Sequence, residues 1–339
     1  MKTLVLENPK AFKFQEQEAP ASLEADEALV KIKNIGICGT DYHAFRGKQP
    51  FFSYPRVLGH ELGGEVVKLG GNTNTINLGD KVTIEPYLNC GRCQSCLNDK
   101  GNCCENLQVL GVHVDGGMTE YLKVPYHKLH KSKILSFEQL AMVEPLSIGA
   151  HAVQRAEVSA KDLVLVIGAG PIGLSVVQFT KLRGSTVLVL DINKDRLKFA
   201  RQQMQVDFIL EATEDFSPDI IRRCLNGFLP TVIFDATGNP NSMKNAFSYV
   251  SFGGKLVFVG LFIGEVTFDD PLFHRREITL LASRNSLPQD FSDIIKLMET
   301  GKIDITPWLT HRADFDDLPH VFNEWLDPTT RVIKAVVSM

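Results

Sequence analysis

The sequence predicts an α/β protein with two domains, one rich in β-strands and one built on a doubly wound parallel sheet. Three observations support this prediction. The chain of 339 residues is long for a single domain. Its first 150 residues contain short segments of alternating polarity separated by glycine pairs. After residue 160, apolar runs alternate with helical patterns.

The first region has the pattern of β-strands joined by irregular loops. Residues 27–33 and 81–85 alternate polar and apolar side chains with a period of two, which is typical of strands with one buried face. Glycine pairs at 63–64, 70–71 and 116–117 indicate turns or bulges between such strands. These features predict a β-rich domain.

The second region has the pattern of a parallel sheet covered by helices. Residues 195–201 show the helical pattern that separates two of its apolar runs. Such alternation predicts right-handed βαβ units. Strands buried on both faces are expected at the continuous apolar runs 163–167, 186–190, 231–234 and 255–259.

The last part of the chain returns to the mixed pattern of the first region. The apolar segment 331–337 predicts a strand that rejoins the first domain. We therefore assign residues 1–148 and 286–339 to the β-rich domain. Residues 149–285 are assigned to the parallel-sheet domain.

Composition and charge argue against several classes of protein. A hydrophobic content of 44% and a charged content of 22% describe an ordinary globular protein. The net charge of −4 gives no sign of a nucleic-acid or membrane partner. Glu7 and Pro9 follow a short apolar start, so we expect no signal peptide, and no apolar run is long enough to span a bilayer. Seven cysteines argue against a secreted disulfide framework, and we expect a cytoplasmic protein.

The clearest chemical signal is a group of four cysteines with the spacing C-x2-C-x2-C-x7-C. The short gaps let neighbouring thiolates turn toward one ion, and the fourth sulfur completes the tetrahedron that Zn²⁺ prefers. Because all four ligands are sulfur, no position is left for water or substrate. We predict a structural zinc held by Cys90, Cys93, Cys96 and Cys104.

The second motif is the dinucleotide fingerprint G-x-G-x-x-G, which follows the apolar run 163–167 and opens a helical pattern. Its glycines allow the backbone to approach a pyrophosphate, and the helix N-terminus supplies N–H donors. Asp191 ends the next run, where a carboxylate accepts ribose hydroxyls and repels the 2′-phosphate of NADP. Lys194 and Arg196 could accommodate that phosphate, but the pattern favours NAD. The fingerprint residues are Gly168, Ala169, Gly170, Pro171, Ile172 and Gly173.

Further segments offer ligands for a second metal. One Cys, one His and one carboxylate make a set that leaves a zinc position open for water or substrate. The spacing alone leaves another interpretation open, namely a buried free cysteine and a capping or ion-paired His-Glu pair. The candidate residues are Cys38, Thr40, His43, His60, Glu61 and Glu144.

Over essentially its full length, the chain resembles zinc-dependent medium-chain dehydrogenases of the sorbitol (polyol) dehydrogenase branch. The resemblance lies in the four-cysteine loop, the fingerprint with Asp191, and residues 36–43, 59–61 and 143–151. Residues 49–61, 111–117 and 282–285 are most similar to bacterial sugar-acid dehydrogenases of that branch. The resemblance implies a GroES-like catalytic domain, a Rossmann NAD-binding domain, NAD as cofactor, and two zinc ions per subunit, one catalytic and one structural.

The resemblance also implies roles for individual residues. Cys38, His60 and Glu61 would hold the catalytic zinc, with Glu144 as a direct or water-mediated fourth partner. Around the cofactor, Ile172 would contact the pyrophosphate, and Asp191 with Arg196 would flank the adenosine. The nicotinamide end would be held by Val259, Gly260, Leu261, Ser283 and Arg284.

The substrate pocket is where the chain departs from the sorbitol-type pattern. Ala44 and Asn285 each stand where a tyrosine is usual, which puts the polyol itself in doubt as substrate. Arg284 and Asn285 are candidates for binding a carboxylate or hydroxyls of a sugar acid.

The implied reaction is hydride transfer between NAD(H) and a secondary alcohol of a small-molecule sugar acid or polyol. Zinc would polarise the alcohol. The proton of the alcohol would leave through Thr40, a hydroxyl of the nicotinamide ribose and His43 to solvent. Two alternatives are a threonine or simple-alcohol dehydrogenase of the same fold, and a non-catalytic NAD-sensing zinc protein. A homodimer or homotetramer is expected through the last strand of the parallel sheet.

Overall fold

The computed structural model describes residues 1–49 and 52–339, so Pro50 and Phe51 of the segment 49–61 lie outside the described residues. The chain forms two compact units, one comprising Met1–Pro145 with Leu287–Met339 and the other Leu146–Ser286. The domain boundaries assigned from the sequence, 148/149 and 285/286, stay a prediction. Within the described ranges, none of the helices is both long and apolar enough to cross a bilayer.

The helices and strands have the following bounds. The strands are β1 (Lys2–Asn8), β2 (Ala11–Glu16), β3 (Glu27–Ile37), β4 (Arg56–Val57), β5 (Glu61–Leu69), β6 (Lys81–Ile84), β7 (Tyr87–Leu88), β8 (Gln108–Val109), β9 (Tyr121–Pro125), β10 (Leu129–Lys131), β11 (Leu163–Ile167), β12 (Thr186–Asp191), β13 (Phe208–Glu211), β14 (Val232–Asp235), β15 (Lys255–Phe258), β16 (Thr279–Ala282), β17 (Leu309–Asp314) and β18 (Lys334–Ser338). The α-helices are α1 (Gly39–Phe45), α2 (Gln94–Leu97), α3 (Phe137–Ala141), α4 (Val143–Arg155), α5 (Pro171–Leu182), α6 (Lys194–Gln203), α7 (Pro218–Cys224), α8 (Pro240–Tyr249), α9 (Asp270–Arg275), α10 (Pro288–Glu299) and α11 (Leu318–Glu324).

The first unit is β-rich, as predicted. Its largest sheet has the order β10-β6-β5-β3-β18-β17, with β9 also paired to β3, and a smaller sheet has the order β2-β1-β4. Strands β7 and β8 form a separate pair. The alternation of residues 27–33 places Val30 and Ile32 in a core that also contains Leu4, Phe45 and Phe322.

The C-terminal strand completes the largest sheet of this unit, which confirms the prediction made from residues 331–337. Strand β18 pairs antiparallel with β3, placing Val336 opposite Gly36. Strand β3 in turn pairs antiparallel with β5, placing Gly36 opposite Glu61. Because side chains two residues apart share one face of a strand, Lys334 lies on the same face as Val336. The pairing of β18 with β3 and of β3 with β5 thus positions the residues of the second metal site described below.

The second unit is a parallel sheet with the order β13-β12-β11-β14-β15-β16. All five strand pairings are parallel, and β11 lies beside β14, where the strand order reverses. This is the doubly wound arrangement predicted from the apolar runs. Its buried core includes Leu165, Leu188, Ile233, Leu256 and Phe247. The edge strand β13 was not predicted.

Candidate metal and dinucleotide sites

Four cysteines lie together in a loop of the first unit. The sulfur atoms of Cys90, Cys93, Cys96 and Cys104 all lie within 4.8 Å of one another. Helix α2 begins directly after Cys93, and the Sγ atoms of Cys93 and Cys96 are 3.5 Å apart. Cys104 Sγ accepts hydrogen bonds from the backbone N–H groups of Cys90 and Asn106, each at 3.3 Å. Four convergent sulfurs with backbone donors fit a zinc ion that has no open position.

The acidity of these thiols also fits metal binding. Backbone N–H groups of Arg92 and Cys93 lower the pKa of Cys90 to about 6, whereas burial raises the pKa of Cys104 to about 11. The loop therefore supplies a thiolate, the form that binds metal, at neutral pH. Cys103 is exposed and lies outside the group.

A second group of ligand atoms comes from two neighbouring strands of the largest sheet. Cys38 follows the end of β3 and caps α1, while His60 and Glu61 stand at the start of β5. One ligand atom from each of these three residues lies within 4.8 Å of the other two. His60 and Glu61 are buried. Residues separated by more than 20 positions in the sequence thus meet because β3 and β5 pair.

Asp41 supports this group from helix α1. Its Oδ2 accepts a hydrogen bond from the backbone N–H of Cys38 at 2.9 Å, and its Oδ1 lies 3.8 Å from His60 Nδ1. Neither Asp41 Oδ1 nor His60 Nδ1 has a hydrogen-bond partner among the described residues. Burial by itself would lower the pKa of His60, but the charges of Cys38 and Asp41 raise it well above its ordinary value. A buried site so rich in anionic groups fits a bound cation, with Asp41 orienting the imidazole.

Lys334 contacts the carboxylate of the same group. It is 2% exposed, and its Nζ donates a hydrogen bond to Glu61 Oε1 at 2.5 Å. A Cβ atom on Gly36 would lie 2.2 Å from Glu61 Oε2, so glycine is required beside this carboxylate. Burial alone would lower the pKa of Lys334, yet the charges of Glu61 and Cys38 raise it. Lys334 is therefore a buried ammonium group that fixes Glu61.

Glu144 lies close to this group but is not a member of it. Its Oε1 accepts a hydrogen bond from the hydroxyl of Tyr87, a residue to which the sequence analysis assigned no role. Burial raises the pKa of Glu144 to about 7, against the lowering effect of His60. Among the described residues, the group of mutually close ligand atoms comprises Cys38, His60 and Glu61 alone.

Helix α1 carries the two proposed proton-transfer residues beside the group. Thr40 is half-buried and His43 is exposed, and their spacing of three residues places them on one side of the helix. Partial desolvation, together with the charges of Arg46 and Lys48, lowers the pKa of His43. Ala44 is buried in the core of the first unit.

The fingerprint forms the turn expected of a dinucleotide site. It joins β11 to α5, with Gly170 as the N-cap residue and Pro171 in the first turn. Gly168 has φ +95°, and a Cβ on Gly173 would lie 1.7 Å from the carbonyl oxygen of Gly168. Both positions therefore require glycine. Ile172 is half-buried in the first turn of α5.

Asp191 stands at the end of β12 and is hydrogen-bonded to backbone on both sides. Its Oδ2 accepts from Ala169 N–H at 2.5 Å, and its Oδ1 accepts from Asn193 N–H at 2.7 Å. An Nη atom of Arg196 lies 3.6 Å from the position that a Cβ on Gly170 would occupy. A carboxylate and a guanidinium thus flank the glycine turn, an arrangement that suits the ribose and phosphates of a dinucleotide.

Two further candidate segments follow the carboxyl ends of β15 and β16, on the same edge of the sheet as the fingerprint. After β15, the Val259–Gly260–Leu261 segment approaches the backbone of Gly238 closely, and Leu261 is exposed. After β16, Ser283 Oγ and Asn285 Nδ2 are buried, with no hydrogen-bond partner among the described residues. Arg284 between them is exposed. Ligands of doubly wound sheets bind at this edge, so unpaired polar atoms there suit the nicotinamide end.

Two family models match separate segments of the chain. Residues 24–134 match the model described as alcohol dehydrogenase GroES-like domain. Residues 171–300 match the model described as zinc-binding dehydrogenase. The first match lies within the β-rich unit, and the second covers most of the parallel-sheet unit and continues to residue 300 of the β-rich unit.

Individual proteins are similar over the whole length. The chain is 41% identical to L-galactonate-5-dehydrogenase of Escherichia coli K12 over 338 residues, covering 100% of this chain and 99% of the relative. It is 29% identical to sorbitol dehydrogenase of Halalkalibacterium halodurans, covering 99% and 96%. Among solved structures, the alcohol dehydrogenase rspB of E. coli CFT073, complexed with cofactor NADH, has a TM-score of 0.94 at 30% identity, with 100% and 99% covered.

Proposed function

Because the chain belongs to the zinc-dependent medium-chain dehydrogenases, we propose that it transfers a hydride between NAD(H) and a secondary alcohol of a sugar acid, in an L-galactonate 5-dehydrogenase-like reaction. The observation that carries the proposal is the full-length identity of 41% to an enzyme of that name. The convergence of Cys38, His60 and Glu61 supplies the matching chemistry. A polyol is the second substrate class, because sorbitol dehydrogenase is also similar over the whole chain.

Two zinc ions would have separate roles. The four-cysteine loop would hold the structural ion through Cys90, Cys93, Cys96 and Cys104. Cys38, His60 and Glu61 would hold the catalytic ion, which supplies Lewis-acid polarisation of the substrate hydroxyl when bound. Asp41 would keep the imidazole of His60 in orientation, and Lys334 would hold the carboxylate of Glu61.

Thr40 and His43 would move the hydroxyl proton toward solvent. A hydroxyl and an imidazole three residues apart on α1 offer consecutive sites for a proton. His43 is exposed and its pKa is lowered, so at neutral pH its imidazole is free to accept that proton. Glu144, a buried carboxylate beside the group, would be a direct or water-mediated fourth partner of the catalytic ion.

The parallel-sheet unit would bind NAD, whose nicotinamide ring supplies the hydride chemistry. Gly168, Gly170, Pro171, Ile172 and Gly173 would receive the pyrophosphate. Asp191 would accept the ribose hydroxyls, with Arg196 beside the adenosine. The nicotinamide would lie near Val259, Gly260, Leu261, Ser283 and Arg284, and Arg284 with Asn285 would also reach the substrate.

We place the enzyme in the cytoplasm as a homodimer or homotetramer. Cysteine thiolates that bind zinc are kept reduced in the cytoplasm, where disulfides are rare. Strand β16 is an edge strand of the parallel sheet, and Leu280 on it is 39% exposed, so a second copy could pair along it.

The proposed substrate class is tested by the rate of NADH formation with L-galactonate, L-idonate, galactitol and threonine at equal concentrations. We expect the highest kcat/KM with a sugar acid. Preference for threonine would contradict the sugar-acid assignment. No turnover with any substrate, together with one zinc ion per chain, would contradict the enzyme assignment.

A further inference from the structure

Asn89 is a half-buried residue that the proposed reaction does not use, and it stands directly before the four-cysteine loop. The two ends of its amide contact different partners. Oδ1 accepts a hydrogen bond from Lys128 Nζ at 2.9 Å, and Nδ2 donates to Cys96 Sγ at 3.5 Å. One side chain thus joins a buried lysine to a sulfur of the four-cysteine group.

Lys128 determines which way the Asn89 amide faces. An ammonium group has donors only, so the atom of Asn89 that faces Lys128 is the oxygen, and the NH2 group then faces Cys96. A thiolate accepts hydrogen bonds, so the contact on this side is favourable as well. Rotating the amide by half a turn would place its oxygen against an anionic sulfur and its NH2 group against a cation. The chemistry of the two neighbours therefore directs a hydrogen-bond donor at the sulfur.

Lys128 itself has little freedom to move. It is 3% exposed, and its Nζ also donates to Glu85 Oε1 at 2.6 Å. His130 Nε2 lies 3.2 Å from the other oxygen of Glu85, and the ring of His130 stacks on Phe291 with centroids 4.9 Å apart. A buried ion pair whose polar atoms are shared among several partners holds its members in place. The ammonium group is thus a fixed point outside the loop.

The Asn89 amide is also enclosed from the side of the loop. A Cβ atom on Gly101 would lie 3.2 Å from Asn89 Nδ2 and 3.3 Å from its Cγ, which is tighter than ordinary contact. Glycine at this position therefore leaves the room that the amide needs beside the sulfur. Cys96 also accepts a hydrogen bond from the backbone N–H of Gly91, so Asn89 adds a side-chain donor to a backbone donor.

We propose that Asn89 is a positioning residue of the structural zinc site, which donates a hydrogen bond to the zinc-bound thiolate of Cys96 in an orientation fixed by the Glu85–Lys128 ion pair. Four thiolates around one Zn²⁺ form an anionic cluster, which N–H donors stabilise. Because a zinc ligand must stay deprotonated, a donor that stabilises the thiolate also slows its departure as a thiol. The inference rests on the ion in the four-cysteine loop and is independent of the substrate class.

The first experiment measures release of zinc to a chelator from the full-length zinc-loaded enzyme. The structural ion is identified as the release phase that Cys96→Ser lacks. Asn89→Leu removes the donor without adding charge, and Asn89→Asp keeps an oxygen for Lys128 but has no donor for the sulfur. For both variants we expect release of this ion at least about tenfold faster, which is the size typical of groups behind metal ligands. The amide of Asn98 donates to the carbonyl oxygen of Gln94 in the same loop, so Asn98→Leu and Asn98→Asp are the matched controls and should leave the rate unchanged.

A spectroscopic measurement separates this role from simple support of the local fold. In Cys38→Ala loaded with Co²⁺, the remaining sulfur ligands are those of the four-cysteine loop, so the thiolate-to-cobalt charge-transfer band reports on these sulfurs. Loss of the hydrogen bond leaves more electron density on Cys96, so the band should move to longer wavelength in C38A/N89L. A residue that only supports the fold would change the release rate without moving the band. The control C38A/N98L should keep the band of Cys38→Ala.

The role of Lys128 is tested without leaving an unpaired buried charge. In E85Q/K128M the ion pair is replaced as a whole, so neither partner remains alone. The Asn89 amide is then free to rotate, and zinc release should be faster than native but slower than in Asn89→Leu. Adding Asn89→Leu to this variant should give the same release rate as Asn89→Leu alone, because both changes act through one hydrogen bond.

Three outcomes would overturn the inference. They are native zinc release from Asn89→Leu, a charge-transfer band that does not move in C38A/N89L, and effects of E85Q/K128M and Asn89→Leu on zinc release that add fully. If the loop of the native enzyme holds no zinc, the structural site fails first and this inference fails with it. The proposed reaction is judged separately, by the rates of NADH formation described above.

Discussion

The four-cysteine loop and the Cys38–His60–Glu61 group are both metal sites of the first unit, but they are built differently. The loop takes all its ligands from 15 consecutive positions and turns them inward with local backbone hydrogen bonds. The second group takes its ligands from the ends of two strands and depends on supports from helix α1 and strand β18. A closed structural site can therefore be local, whereas an open site needs surrounding groups to restrain each ligand.

The comparison is tested most strongly by removing one sulfur from the open site. Cys38→Ala should lower kcat by at least about 10⁴-fold, which corresponds to roughly 5 kcal/mol of transition-state stabilisation. We expect zinc content to fall from two ions per chain to one, while NADH binding, measured by fluorescence, stays close to native because the fingerprint lies in the other unit. Full activity with one zinc ion would reject the assignment of the open site.

Removing the ammonium behind Glu61 tests whether the open site needs buried support. Lys334→Met leaves Glu61 as an uncompensated buried charge, so we expect the zinc-free protein to lose about 3 kcal/mol of stability. Zinc should restore much of this loss because the ion neutralises the same carboxylate. Urea unfolding with and without chelator measures both quantities, with Lys334→Arg as the control that keeps the charge. Equal losses with and without zinc would contradict the proposed link between Lys334 and the metal.

Removing one sulfur from the closed site should affect stability rather than chemistry. For Cys96→Ser we expect loss of the structural zinc and a fall in Tm of roughly 5–10 °C, equivalent to about 2–3 kcal/mol. At temperatures where the variant is folded, kcat should remain within about threefold of native. A fall in kcat as large as that of Cys38→Ala would show that the two sites are not functionally distinct.

The smallest expected effect concerns the pH dependence of the open site. Burial and the charges of Arg46 and Lys48 lower the pKa of His43 from its ordinary value of 6.5. The neutral, proton-accepting imidazole therefore predominates above this lowered pKa and is lost as the pH falls through it. Alcohol oxidation should therefore decline on the acid side through this group. His43→Ala should lower the rate about tenfold near neutral pH and remove that decline. An unchanged pH profile of kcat would exclude His43 from proton transfer.

Much of the fold could be predicted because its signals are local. Apolar runs, the fingerprint turn and the cysteine spacing each depend on residues close together in the sequence. Strand β13 was missed because it is short, mostly exposed and at a sheet edge, so neither a buried run nor clean alternation marks it. The C-terminal strand was found from its apolar run alone.

The supports of the open site could not be predicted from local patterns. Tyr87 and Lys334 contact Glu144 and Glu61 across 57 and 273 positions of sequence, and only the tertiary fold brings them together. Lys334 did leave a signal, since it is a lone charge at the start of a buried apolar strand. Such a residue is rarely buried without a partner. Tyr87 left none, because a tyrosine after a proline is common in loops.

The most direct measurement is an anomalous difference map at the zinc absorption edge from crystals of the catalytically competent enzyme. The account predicts two peaks per chain, one among Cys90, Cys93, Cys96 and Cys104 and one contacting Cys38, His60 and Glu61. A competent enzyme with no peak beside Cys38 would contradict it.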